Sequence, residues 1–165
     1  MHLFDVNITG KIKFQESEVI SKGSEFWVFE TEYCKFGIGI CYDVRFPDYS
    51  QLLCREKGVE FLVFPSAFSI TTGSLHWDIL RKIRPLDNQA FFAFSSPARP
   101  VDDEEMYQAY GHSSVVDPWG KVIADSEHDE EIIVSEVDIA KVYECREQIP
   151  WYSQRRTDLY TYKIV

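Results

Sequence analysis

The sequence predicts an α/β fold with parallel strands at its centre, on three observations. Residues 37–40 and 59–64 are short apolar runs, Gly37-Ile38-Gly39-Ile40 and Val59-Glu60-Phe61-Leu62-Val63-Phe64, with a helical pattern from about 47 to 57 between them. A strand, helix, strand unit of this kind pairs its strands in parallel. A second helical pattern at 75–83 leads into Ala90-Phe91-Phe92-Ala93-Phe94 and repeats the unit. With 165 residues, among them 12 Phe, 9 Tyr and 4 Trp, the chain has the bulk for a core of its own, and residues 1–165 read as one domain.

Each element has a local reason. Leu3-Phe4 is an apolar cluster, residues 7–10 make a turn, and Ile12 and Phe14 follow it; 17–25 is a polar loop. Residues 26–29 (Phe-Trp-Val-Phe) and 36–40 read as two strands paired through a turn near Glu32. Pro47 suits the first turn of a helix, Asp48 suits its positive end, and Gly58 suits its stop; Tyr49, Leu52 and Leu53 fall on one face. Residues 66–73 read as a loop at the carboxyl end of the strand at 59–64. In the next helix Ile79, Leu80 and Ile83 share a face, and Pro85 is expected to end or kink it. Residues 97–106 form an acidic loop. Asp117-Pro118-Trp119-Gly120 is a turn joining strands at 113–116 and 121–124 into a hairpin. A strand at 132–137 and a helix at 139–148 follow, with Pro150 as its stop. The tail from 151 carries Arg155, Arg156, Tyr160 and Tyr162 without periodicity, a composition suited to covering a partner subunit.

Seventeen Lys plus Arg against 27 Asp plus Glu give a formal charge of -10, which disfavours nucleic acid and anionic membranes as partners. No apolar run approaches the roughly 18 residues of a membrane span, and the first residues lack the basic and apolar pattern of a leader. The four cysteines, Cys34, Cys41, Cys54 and Cys145, form no close metal-binding pairs. A reduced intracellular compartment is therefore expected.

The chemistry centres on Cys41. It follows a buried strand, precedes a helix, and by the switch-point rule for open sheets shares a crevice with the loop at 66–73, which puts Thr71 and Thr72 near the thiol. A nucleophilic thiol needs a proton acceptor, a positive group and oxyanion donors; the backbone N–H of Tyr42 is the natural first donor. His76 or His112 would be the acceptor in a Cys-His hydrolase, although neither has the flanking residues of that class. Glu16 is on composition a solvated carboxylate. Arg45 can pair with Asp43 or Asp48, or hold a substrate carboxylate bidentately. Cys34, Cys54 and Cys145 read as structural.

Several segments resemble the nitrilase superfamily of carbon-nitrogen hydrolases, and within it the omega-amidases. They are His2-Leu3-Phe4-Asp5, Phe14-Gln15-Glu16-Ser17, Gly39-Ile40-Cys41-Tyr42-Asp43-Val44-Arg45-Phe46, Pro65-Ser66-Ala67-Phe68, Gly111-His112-Ser113, Asp117-Pro118-Trp119-Gly120 and residues 155–160. The resemblance implies an αββα sandwich and a Glu-Lys-Cys site that attacks an amide through its thiol, forms a thioester and releases ammonia. It implies Cys41 as nucleophile, Glu16 as a supporting glutamate, and Arg45 and Thr71 as holders of the distal carboxylate of a 2-oxo acid amide. It implies no cofactor or metal, and a homodimer in the complete protein.

Three departures accompany it. The family's lysine stands two residues before the histidine of the His-Leu-Phe-Asp motif, one position ahead of Met1, and its general-base glutamate lies further upstream. The sequence is therefore read as the carboxyl-terminal part of such a domain, without its N-terminal strands and helices, with an exposed apolar sheet edge or face and no activity alone. Asp87 stands where glutamate is common, and Pro85 lies inside the helix before it.

Overall fold

A computed structural model of the chain describes residues 1–10, 12–100, 105–161 and 163–164. Tyr162, in the tail, and 101–104, in the acidic loop, lie outside the described residues. Two sheets form. β1 (Asp5–Ile8) and β2 (Ile12–Gln15) make an antiparallel hairpin, turned by Gly10 at φ +74°, a conformation that suits a residue without Cβ.

The main sheet has six strands in chain order: β3 (Trp27–Glu30), β4 (Lys35–Ile38), β5 (Phe61–Pro65), β6 (Phe91–Ser95), β7 (Ser114–Val116) and β8 (Val122–Asp125). β4, β5 and β6 are parallel, as the repeated unit predicts, and the outer pairs β3/β4, β6/β7 and β7/β8 are antiparallel. The expected hairpin at 113–124 is present. Asp117 Oδ1 accepts from the N–H groups of Trp119 and Lys121 at its turn, at 2.9 and 3.0 Å.

α1 (Pro47–Glu56) crosses from β4 to β5, and α2 (Ile70–Asn88) crosses from β5 to β6. Both pack on one face of the sheet, where Leu53 and Trp77 meet Leu62, Phe64, Phe92, Phe94 and Val116 in a single core. Alternation along the strands turns the neighbouring residues to the other face. There Phe29, Phe36, Phe61 and Phe91 occupy matched register positions and form a ladder of rings, with centroids 5.3, 5.2 and 6.1 Å apart. Trp27 and Phe29 at its outer end are 66% and 45% exposed, the apolar face the sequence leads one to expect.

Two elements differ from the sequence reading. α2 begins at Ile70, because the Ser69 hydroxyl caps it by accepting from the Thr72 N–H, so the second half of the expected loop at 66–73 is helix. It also runs through Pro85 to Asn88. A proline without its N–H removes one hydrogen bond of the last turns, and the helix then closes at Gln89 in a left-handed cap (φ +46°) whose N–H donates to the Leu86 carbonyl. Residues 132–137 are not a strand. Ile132 and Val134 are 92% and 90% exposed, and an apolar run with no neighbouring strand to bond has nothing to hold it extended. α3 (Ala140–Gln148) docks through Val142 and Cys145.

Candidate active site

The site is built at the carboxyl ends of β4 and β5. β4 stops at Ile38, and the chain passes Gly39, whose N–H donates to the Val63 carbonyl at 3.0 Å. Only glycine fits there: a Cβ would stand 2.2 Å from the Phe64 ring. Cys41 then opens a 3₁₀ turn, Cys41–Arg45, at φ +44°, a left-handed conformation that costs an L-residue about 1–2 kcal/mol. Strain of this sort persists where the surroundings over-determine it.

Asp43 is what fixes the turn. Its buried carboxylate accepts from the N–H groups of Ile40 (2.9 Å) and His2 (2.8 Å) and lies 2.8 Å from His2 Nδ1. Burial pushes its pKa up, but these donors outweigh burial and leave it below its ordinary 3.8. Its stabilisation is therefore complete above pH 3.8 and is lost as the pH falls from there through the folded value. Asp43→Asn is expected to cost about 1–3 kcal/mol at pH 7 and to flatten the acid limb of the stability profile, read from urea denaturation at pH 7 and pH 3. An unchanged acid limb would contradict this assignment.

Cys41 opens into a cavity of about 390 Å³ lined by Phe4, Phe14, Glu16, Tyr42, Arg45, Ala67, Phe68, Ser69, Thr72 and Tyr107. Cys41, Glu16, Tyr42 and Arg45 are thus brought together; Thr71 is not among the lining residues. It is exposed in the first turn of α2, and its neighbour Thr72 lines the wall instead. The Tyr42 N–H precedes the first hydrogen bond of the 3₁₀ turn, Asp43 N–H to Ile40 carbonyl, and so remains a donor for the site. Glu16, half-buried after β2, accepts from the Phe4 N–H at 2.7 Å, which closes the base of the β1/β2 hairpin.

Arg45 makes no ion pair with Asp43 or Asp48; among the described residues none of the ion pairs includes it. Its guanidinium lies 4.8 Å from the Phe68 ring centre and 3.2 Å from His76 Nδ1. Burial pushes the Cys41 thiol up, the Ala67 N–H pulls it down, and Glu16 adds to the rise more than Arg45 offsets. The thiol is therefore protonated at neutral pH. Cys34, Cys54 and Cys145 are buried, and Cys54 is pushed up to about 12 by burial, as suits packing residues. His112 lies outside the cavity lining and is structural, its Nδ1 3.0 Å from Asp125.

Sequence reasoning missed Tyr107. It stands beside a loop without periodicity, and no pattern signals it. Its hydroxyl donates to the Ala67 carbonyl at 2.7 Å. The 107–110 segment then zips along 68–70, Tyr110 N–H to Phe68 carbonyl at 2.7 Å and Ile70 N–H to Gln108 carbonyl at 3.1 Å. Arg99 braces it from behind through the carbonyls of Ala109 and Tyr110, both at 2.9 Å. Tyr107→Phe removes the tether on the Ala67 carbonyl and so loosens the residue whose N–H supports the thiolate. Alkylation of Cys41 by iodoacetamide at pH 7 is expected to slow about two- to fivefold, with the pH midpoint moving up. Equal rates in the two proteins would exclude that role.

Fold and site define the class: an α/β protein carrying a candidate thiol nucleophile on a strained turn at the carboxyl ends of parallel strands. Residues 1–147 match the family model of the carbon-nitrogen hydrolases, and the chain belongs to that family, within the nitrilase superfamily. It is 52% identical over 161 residues to an omega-amidase NIT2 of Xenopus tropicalis, covering 98% of this chain and 57% of that protein. To an omega-amidase NIT2 of Homo sapiens it is 47% identical over 164 residues, covering 99% and 58%. The chain thus spans somewhat over half the length of these curated relatives.

Among solved structures, Saccharomyces cerevisiae Nit3, a member of branch 10 of the nitrilase superfamily, is similar with a TM-score of 0.78 and 45% identity, over 86% of this chain and 51% of that one. The C. elegans NitFhit protein gives a TM-score of 0.87 and 41% identity, over 98% of this chain and 39% of that one. The fold is accordingly that of the nitrilase αββα sandwich, of which this chain supplies a sheet with helices on one face.

Proposed function

We propose that the chain is the thiol-bearing part of an omega-amidase-like hydrolase acting on the terminal amide of 2-oxoglutaramate or 2-oxosuccinamate. The observation that carries this reading is the cavity itself. A half-buried thiol at positive φ shares it with a guanidinium free of any carboxylate partner among the described residues, so a small anion that also carries a reactive carbonyl meets both. In a protein of formal charge -10, such a local cation is what an anionic substrate requires.

In this reading Arg45 takes the distal carboxylate, with Ser69 and Thr72 as hydroxyls in the same wall. The Cys41 sulfur bonds to the amide carbon, and the carbonyl oxygen, now an oxyanion, accepts from the Tyr42 N–H. The thiol proton passes to the departing nitrogen, ammonia leaves, and a thioester remains. Water then adds to the thioester carbon, releasing the 2-oxo acid and restoring the thiol. Glu16 supports the site by closing the hairpin base through the Phe4 backbone, which keeps both residues in the cavity wall. The complete protein is read as a homodimer in a reducing compartment, the cytoplasm or the mitochondrion.

A second reading rests on the raised Cys41 thiol. Among the described residues no lysine lines the cavity, and the nearest charges on balance disfavour the thiolate. By itself the 165-residue chain is then catalytically silent and serves as a binding or oligomerisation partner. The test is ammonia release from 2-oxoglutaramate, by the product of the complete reading frame and by the 165-residue chain. No release by the former overturns the first reading; turnover by the latter overturns the second.

A further inference from the structure

Arg45 is held without being neutralised. Its guanidinium has five N–H donors and no acceptor, so the 3.2 Å contact from Nη1 to His76 Nδ1 has one possible sense: arginine donates and the imidazole nitrogen accepts. His76 Nδ1 is therefore bare, and any proton on the neutral ring sits on Nε2. A carboxylate in this position would hold the guanidinium equally well but would cancel its charge. A neutral acceptor fixes the direction and leaves the positive charge for a ligand.

The remaining contacts serve the same end. The Phe68 ring, 4.8 Å away, supports the guanidinium through its π face, again without opposing charge. The backbone beneath is anchored as well, since buried Arg84 donates to the carbonyls of Val44 and Arg45 at 2.7 and 3.3 Å. His76 itself is exposed, in the second turn of α2, and outside the cavity lining. Among the described residues its hydrogen bond to the site is the one with Arg45.

We infer that His76 is a positioning residue: its unprotonated Nδ1 aims Arg45 across the cavity, and so sets the preference for amides that carry a carboxylate. This inference rests on the function proposed above and adds the residue that governs its substrate selection.

The test uses the product of the complete reading frame with 2-oxoglutaramate. His76→Ala is expected to raise KM about 5- to 20-fold with kcat within about twofold, and His76→Asn, whose amide oxygen can accept in place of Nδ1, is expected to restore KM to within about twofold. An independent readout is the ratio of Cys41 alkylation by anionic iodoacetate to that by neutral iodoacetamide. His76→Ala is expected to lower this ratio about threefold, whereas Arg45→Ala lowers it further and raises KM most. If Arg45→Ala loses the preference and His76→Ala keeps both KM and the ratio, the inference falls and the proposed function stands. Should His76→Ala lower kcat and leave KM alone, or His76→Asn fail to rescue, the role is structural and the inference falls as well. If Arg45→Ala changes neither readout, the carboxylate-binding reading of the cavity falls, and this inference with it.

Discussion

Cys41→Ala is expected to abolish ammonia release from 2-oxoglutaramate by the complete protein, by at least about 10⁴-fold, because the covalent step has no other thiol to use. The three remaining cysteines are buried away from the cavity and cannot substitute. Its stability separates chemistry from folding. Alanine keeps the left-handed penalty at φ +44°, so the melting temperature should change little, whereas Cys41→Gly is equally inactive but relieves the strain and gains up to about 1 kcal/mol. Paired activity and melting measurements on the two variants check both statements. Residual turnover in either would place the nucleophile elsewhere.

Gly39→Ala is expected to be the most damaging conservative substitution near the site. The added methyl would stand 2.2 Å from one carbon of the Phe64 ring and 2.6 Å from the next, and Phe64 is fully buried among Leu62, Phe92 and Phe94. The ring stacks on Phe92 and Phe94 at 5.7 and 5.9 Å and has no free direction to take. Overpacking of this kind costs about 1–3 kcal/mol, and at this chain length a melting temperature lowered by roughly 3–10 °C. The strain falls two residues before Cys41, so alkylation of that thiol should change too. Gly10→Ala is the control, since no atom lies near its would-be Cβ and only its positive φ is taxed.

How much of this was legible in the sequence depended on whether the signal was local. The strands at β4, β5 and β6 announce themselves because they are apolar both on the side under α1 and α2 and on the side of the ring ladder, and the hairpin at Asp117 because proline and glycine have few other uses in such a turn. Cys41 was legible as a candidate nucleophile from its place between strand and helix, and the structure puts it at the cavity. The start of α2 was not, because Thr71, Thr72 and Gly73 are poor helix formers whose helical state is decided by the Ser69 cap and by Tyr110. A Cβ on Gly73 would stand 2.3 Å from that side chain. The run at 132–137 shows the converse: composition favours a strand, but strands exist only in pairs.

The candidate site was legible in the same uneven way. Cys41, Tyr42 and Arg45 come from one continuous turn, so spacing alone keeps them together. Glu16 joins them through the family motif and through its bond to the Phe4 backbone, and its charge pattern alone pointed to solvent. Tyr107 and His76 act through single hydrogen bonds to residues far away in the chain, and no periodicity records such a bond.

The ring ladder of Phe29, Phe36, Phe61 and Phe91 also sets an order of assembly. Its first contact closes within the β3/β4 hairpin, whereas the next two wait until α1 and then α2 have been spanned. Loop-closure entropy grows with each intervening segment, so the hairpin is the expected nucleus for the parallel strands, added one aromatic rung at a time. Refolding should then be slow for a chain of this size, and the thiol should be among the last groups to reach its place, since the β5 and 66–69 backbone that completes its pocket arrives only with the second rung.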